Sequence, residues 1–278
     1  MQQSDLSTQF SSRLVGQYAL VTGAPQGIGR AVAIRFAQEG ANVAVNFVGP
    51  RASAEETLAR VRAASIERGH GHRDHLVVHA DIGVEAEIAQ MFETLLARWP
   101  RLDCLVNNAG FQSESPSEAL DVEAYRRILD VNLNGAVFCA QKALAHFVKR
   151  GGSGNIINCS SAHQIIPKPG YLAYSISKGA MANLTRTLAL EFAGRGIRVN
   201  AVAPGAIDTP INAAWIGDRA RRAIVEEHIP LGRVGTAEEI AGVFAFLASN
   251  EASYITGQTI YACGGLTLFS EFRENWAS

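Results

Sequence analysis

The chain has 278 residues, with 25 Lys and Arg against 26 Asp and Glu and a formal net charge of −1. That balance excludes a dedicated phosphate-backbone binder, which needs a basic face. A 47% hydrophobic and 18% charged composition excludes a disordered chain, and no apolar run reaches the roughly 18 residues of a membrane-spanning helix. In chain order, the polar, Ser-rich start lacks the apolar stretch of a secretory signal, and residues 1–13 are expected to fray as a disordered arm. Short apolar, β-branched runs follow at Tyr18–Thr22, Asn42–Phe47, His75–Ala80, Asp103–Asn107, Asn155–Cys159, Ile197–Ala203 and Thr259–Ala262. Several are apolar throughout, as strands buried on both faces are. Helical patterns lie between them, near 27–39, 51–68, 84–98, 118–149, 172–194 and 236–248. In the first, Ile28, Ala31, Val32 and Phe36 share one face and Gly40 follows as a C-terminal cap. The alternation predicts one α/β domain over 14–278, a parallel sheet with helices on both faces. The cysteines Cys104, Cys139, Cys159 and Cys263 form no close pair and are expected to be buried, reduced thiols of a cytoplasmic protein. His70, His72, His75 and His79 cross a Gly-rich stretch without nearby Cys or Glu ligands, so a surface loop is expected and no metal.

The first strand ends in Thr22-Gly23-Ala24-Pro25-Gln26-Gly27-Ile28-Gly29. A glycine turn between a strand and a helix lets backbone approach a pyrophosphate at the helix N-terminus. Gly23 and Gly27 permit the turn, and Gly29 permits close helix–strand packing. Further on, Tyr174 and Lys178 stand four residues apart on one helical face. An ammonium beside a phenol favours the phenolate and so tunes Tyr as an acid/base for an alcohol–carbonyl pair. Ser160 and Ser161 close the strand before them; neighbouring strand residues point to opposite faces, so one of the two should reach the cleft.

These motifs resemble the short-chain dehydrogenase/reductase superfamily. The resemblance rests on Thr22-Gly23 through Gly29, on Asn107-Asn108-Ala109-Gly110, on Asn132 within Val131–Gly135, on Tyr174 and Lys178, on Pro204-Gly205, and on Ser253–Gln258. It implies a single Rossmann-type doubly wound parallel sheet of seven strands in the order 3-2-1-4-5-6-7, and hydride transfer between a nicotinamide cofactor and an alcohol or carbonyl. It implies a tetrad of Asn132, Ser161, Tyr174 and Lys178. Ser161 holds the substrate oxygen, Tyr174 exchanges the proton, Lys178 also bonds the nicotinamide ribose, and Asn132 holds a water beside Lys178. For the cofactor it implies Gly23, Gln26, Gly27 and Ile28 at the pyrophosphate, Asn46 and Phe47 at the second strand's end, Asp81 and Ile82 at the adenine edge, Asn108, Ala109 and Gly110 along the adenosine ribose, and Pro204, Gly205, Ile207 and Thr209 on the nicotinamide side. An acidic residue after the second strand would favour NAD. The sequence there is Asn46-Phe47-Val48-Gly49-Pro50-Arg51, so NADP is expected ahead of NAD or dual use.

Ser161-Ala162-His163, the stretch Gly205–Asn212, and the ending Gly264–Leu268 with Phe272 are similar to the bacterial glucose 1-dehydrogenase group. This implies a small-molecule substrate, a sugar, bound under a lid over about 206–235. Val48 in place of a basic residue, and Cys263 in place of the Asp usual before the Gly-Gly pair, depart from that group. A 3-oxoacyl-thioester reductase is the alternative, with Arg219, Arg221 and Arg222 as a docking patch for an acyl-carrier protein. A nucleotide-binding sensor without catalysis is the alternative of another class. The family also implies a homotetramer built on the helices near 118–149 and 172–194, with no nucleic acid and no membrane as partner.

Overall fold

The computed structural model describes residues 12–268. Seven strands, β1 (Tyr18–Val21), β2 (Asn42–Phe47), β3 (Leu76–His79), β4 (Cys104–Asn107), β5 (Gly154–Cys159), β6 (Ile197–Pro204) and β7 (Thr259–Ala262), form one all-parallel sheet in the order β3-β2-β1-β4-β5-β6-β7. Strand order reverses between β1 and β4, which opens a crevice beyond their carboxyl ends. The nine α-helices among the described residues are α1 (Gly27–Gln38), α2 (Arg51–Glu67), α3 (Glu85–Arg98), α4 (Val122–Leu129), α5 (Gly135–Lys149), α6 (Leu172–Phe192), α7 (Ala213–Ile216), α8 (Arg219–Glu227) and α9 (Ala237–Ala248). One face of the sheet buries Val32 and Phe36 of α1, Val61 of α2 and Phe244 of α9. The other buries Ile88, Met91 and Leu95 of α3 and Phe147 of α5. Strands between two such layers must be apolar on both faces, which explains their uninterrupted β-branched runs.

The expected helix over 118–149 is three pieces. A 3-10 turn spans Ser117–Ala119. Asp121 then accepts from the amides of Glu123 and Ala124 to start α4, and a π-turn over Asp130–Asn134 separates α4 from α5. A π-turn is a usual mark of a functional site, and this one carries Asn132. Two helices went unpredicted, α7 and α8. The latter is Arg- and Glu-rich, buries no residue and starts on the Asp218 cap, so apolar periodicity could not reveal it. α9 starts on a reciprocal Thr236–Glu239 capping box.

Residues 1–11 of the expected arm, and Phe272, lie outside the described residues. The arm's boundary needs correction within them. Arg13 grips Glu39 through two bonds of 2.6 and 2.7 Å and meets Glu251 at 2.9 Å. Glu39 is fully buried and is also held by Arg35. Such a bidentate, partly buried pair tethers the chain just before Leu14, itself a core residue. Gly40, at φ +90°, follows the C-cap Glu39 as expected. The histidine stretch is not all surface loop. His75 is buried at the entry to β3, accepts from the Val43 amide through Nδ1, and keeps a buried Nε2 without a partner among the described residues. Burial pushes it down to about 4, so the ring is neutral at pH 7. All four cysteines are buried free thiols, and burial pushes Cys104 and Cys139 up to about 12. Among the described residues no helix is long and apolar enough to cross a membrane.

Candidate active site

A cleft of about 660 Å³ runs along the carboxyl ends of the strands. Its first wall is the turn after β1. Gly23 (φ +59°) donates its amide to Asn46 Oδ1, and its carbonyl accepts from Asn108 Nδ2 at 3.0 Å. Thr22 Oγ1 accepts from the amides of Asn108 and Ala109. The ends of β1, β2 and β4 are thereby stitched together. A Cβ on Gly23 would lie 2.7 Å from Ala109 Cα, and one on Gly29 would lie 2.4 Å from Asn108 Nδ2. Gln26 precedes α1 without a capping side chain, and the first turn carries no acid. The uncapped amides of that turn therefore suit an anion.

Beyond β2 the wall is Asn46, Val48, Pro50 and Ser53, with no carboxylate. Phe47 alternates away from the cleft, as its place in the strand dictates, and packs in the core edge-on to His79. Asp81 and Ile82 line the next stretch with Arg127, which sequence reading did not single out. Asp81 accepts from Arg127 at 2.6 Å and from the Gly83 amide. These bonds outweigh desolvation and hold its carboxyl below the usual range. Asn108, Ala109 and Gly110 line the floor; Pro204, Gly205, Ile207 and Thr209 form the opposite wall.

At the far end Ser161, Tyr174 and Lys178 converge. Ser161 follows β5 and accepts from the His163 amide at 3.1 Å. Ser160 also borders the cleft, but its hydroxyl donates to Gln164 Oε1 at 2.6 Å, and Gln164 in turn donates to Tyr261 on β7. The serine bonded to Tyr174 is Ser161. Burial pushes the Tyr174 phenol up to about 12, while the Ser161 hydrogen bond pulls it down. Lys178 is buried beneath it, 5.6 Å from the ring centroid, and donates to the Cys159 carbonyl at 2.7 Å. Desolvation lowers the Lys178 pKa. In the protein alone burial, rather than the Lys178 charge, dominates Tyr174. Asn132 is fully buried behind this cluster and does not line the cleft. It holds Phe111 through both backbone groups, at 3.0 and 2.9 Å, and donates to Ser177 Oγ. The substrate end also contains Gln112, His163, Lys168 and Trp215. They come from the segment after β4, the β5–α6 connection and α7, so no spacing in the sequence points to them together.

A doubly wound sheet with a glycine turn and a phenol–ammonium pair at one switch-point crevice defines a class of dinucleotide-dependent oxidoreductases. A family model described as enoyl-(acyl carrier protein) reductase matches residues 23–267. A glucose 1-dehydrogenase from Gluconobacter oxydans is 46% identical over 97% of this chain and 98% of its own length. A 3beta-hydroxysteroid dehydrogenase from Eggerthella lenta is 44% identical over 94% and 97%. The crystal structure of a gluconate 5-dehydrogenase from Burkholderia cenocepacia, in complex with NADP and tartrate, superposes with a TM-score of 0.84 at 32% identity, covering 92% of this chain and 97% of that one. The chain belongs to the short-chain dehydrogenase/reductase family, NAD(P)-dependent oxidoreductases acting on CH–OH groups.

Proposed function

We propose that this chain oxidises a CH–OH group of a polyhydroxylated, sugar-type substrate, or reduces the matching carbonyl, with NADP ahead of NAD. The observation that carries the reading is the opening of Ser161, Tyr174 and Lys178 into the same cleft as the glycine turn. Bound NADP or NAD accepts or supplies the hydride. Gly23, Gln26, Gly27 and Ile28 fit its pyrophosphate through the uncapped amides of α1, with Asp81, Ile82 and Asn108–Gly110 along the adenosine half. The absence of a carboxylate among Asn46, Val48, Pro50 and Ser53 leaves a 2′-phosphate unrepelled and supports NADP. Ser161 orients the substrate oxygen. Tyr174 takes its proton in oxidation and returns it in reduction. Lys178 holds charge beneath the phenol, and Asn132 positions the Phe111 backbone at the rim. The segment 206–235, with α7 and α8, acts as the lid. A cytoplasmic location agrees with four reduced thiols.

The thioester alternative has a relative in its favour, a 3-oxoacyl-[acyl-carrier-protein] reductase from Staphylococcus aureus that is 38% identical over 89% of this chain. Against it, the basic patch is largely neutralised. Arg222 pairs with Asp208 and Glu226, and Arg221 with Asp218. Nicotinamide absorbance, followed with both cofactors against aldoses, sugar acids and acetoacetyl thioester, tests the reading. NADP-dependent oxidation of a sugar-type substrate is expected. Turnover of the thioester alone would transfer the chain to the alternative, and cofactor binding without turnover of any substrate would leave a sensor. We further propose a homotetramer. An apolar groove of about 380 Å³ between α5 and α6, lined by Val137, Leu144, Val148, Leu184, Leu188 and Phe192, supports it. Light scattering should give about four chain masses, and a monomer would refute the assembly.

A further inference from the structure

Lys168 sits on the loop between β5 and α6, half-buried, and lines the substrate end of the cleft. Its Nζ donates to Gln112 Oε1 at 3.1 Å and lies 3.5 Å from the Tyr171 ring centroid. Gln112 is itself fixed, donating to the Ile211 carbonyl at 3.2 Å on the opposite wall. An ammonium has three donors, and an amide oxygen and a ring face leave capacity toward the cleft. Among the described residues no carboxylate lies within ion-pair distance of Lys168; exposed Glu114 acts on it only from farther off. The other two lining cations differ. Arg127 is matched by Asp81, and Lys178 belongs to the reacting cluster. A partly desolvated, unpaired cation in a cleft is costly unless a ligand brings the opposite charge.

We propose that Lys168, held by Gln112, receives the carboxylate of the substrate, so that the compound oxidised at Tyr174 is a hydroxy acid rather than a neutral sugar. This rests on the oxidoreductase reading above and narrows it. Charge count selects a carboxylate over a phosphate ester. Among the groups around Lys168, Tyr171 presents its ring face, Glu114 lies beyond ion-pair reach, and desolvation together with the Lys168 charge works against protonation of His163. One positive charge therefore faces the ligand, enough for a monoanion and short of a dianion. His163 also connects the two ends. Its Nδ1 bonds the Ile166 carbonyl, its ring packs edge-on to Tyr174 with centroids 6.2 Å apart, and it feels the Lys168 charge. The acid end and the reacting hydroxyl thus belong to one compact molecule.

The test compares acids with neutral counterparts on the full chain in the presence of NADP(H). The pairs are D-gluconate with D-glucose, and 3-hydroxybutyrate with butane-1,3-diol, in buffer free of phosphate. Binding is read by calorimetry and turnover by nicotinamide absorbance. In at least one pair the acid should bind about tenfold tighter or more, as a desolvated charge-assisted contact provides. Lys168→Met should erase that preference mainly through KM, lowering kcat/KM for the acid about tenfold more than for its neutral partner, and leave the melting temperature unchanged; Lys168→Arg should restore part of the preference. Equal binding of acid and neutral partner in both pairs, or an equal loss of both in Lys168→Met, would overturn the proposal. Tighter binding of glucose 6-phosphate than of gluconate would overturn the monoanion assignment. Acids that bind through Lys168 yet are never oxidised while a neutral partner is would overturn the hydroxy-acid assignment, whereas absence of turnover for every sugar-type compound, acid or neutral, would sink the sugar-type reading on which it rests.

Discussion

Tyr174→Phe should lower kcat by about 10³-fold or more in both directions, the upper range for loss of a positioned acid/base, while cofactor binding changes little. The variant removes one oxygen and keeps the ring that fills the wall between His163 and Lys178. A drop in kcat with an intact melting temperature therefore reports chemistry, not collapse. The pH dependence gives the sign. Oxidation needs the phenolate, which burial disfavours, pushing the group up to about 12 in the protein alone. Oxidation by wild type should therefore rise with pH through the neutral range, up to tenfold per unit below the operating pKa. Reduction needs the phenol; it should be flat there and fall only above that pKa. Tyr174 loses its proton more readily beside a cationic ring, so the rise should end below 12. Ser161→Ala removes the hydrogen bond that lowers the phenol pKa, so its oxidation profile should shift to higher pH. A Tyr174→Phe enzyme within tenfold of wild type, or an oxidation rate that falls as pH rises, would dismiss Tyr174 as the proton-transfer group.

The parts of the molecule visible beforehand are those governed by short-range patterning. Each strand was placed within a residue or two because two helical layers force continuous apolar runs, and α1 announced itself through Val32, Phe36 and the terminal Gly40. The helix period puts Tyr174 and Lys178 on one face, whereas the choice of Ser161 over Ser160, and Asn132 altogether, follow only from the family resemblance. What remained hidden depends on pairing across the chain. Arg127 meets Asp81 from 46 residues away, and Lys168 meets Gln112 from 56. The Asn132 π-turn is invisible to a 3.6-residue period, because one added residue changes the helix without changing its composition. The family resemblance puts Phe47 at the cofactor, but strand alternation sends it into the core, leaving Asn46 and Val48 as the lining residues. The burial of His75 comes from β2, whose Val43 amide it bonds, so the local run of histidines points to a surface loop even though His75 opens an apolar strand run.

The glycine turn offers the second large effect, and two of its positions separate strain from collision. Gly23 and Gly27 both sit in left-handed backbone, at φ +59° and +56°. Replacing either by Ala should incur about 1–2 kcal/mol of conformational strain. They differ in what the new methyl meets. At Gly27 the nearest atoms are 3.6 Å away on Thr209, ordinary contact, whereas at Gly23 the Cβ would stand 2.7 Å from Ala109 Cα and 3.2 Å from its amide nitrogen. That neighbour is backbone at the end of β4, and it cannot rotate away. It must be displaced, and the displacement strains the Thr22 bonds to Asn108 and Ala109 and the Gly23 bonds to Asn46 and Asn108. Without cofactor, Gly27→Ala should therefore lower the melting temperature by about 2–4 °C and Gly23→Ala by at least about twice as much. Both should weaken NADP(H) binding, Gly23→Ala by about tenfold or more, because Ala109 lines the cleft and moves with the collision. Equal melting temperatures for the two variants would mean that the turn yields around Ala109, and that the stitching of β1, β2 and β4 does not set the cleft's shape.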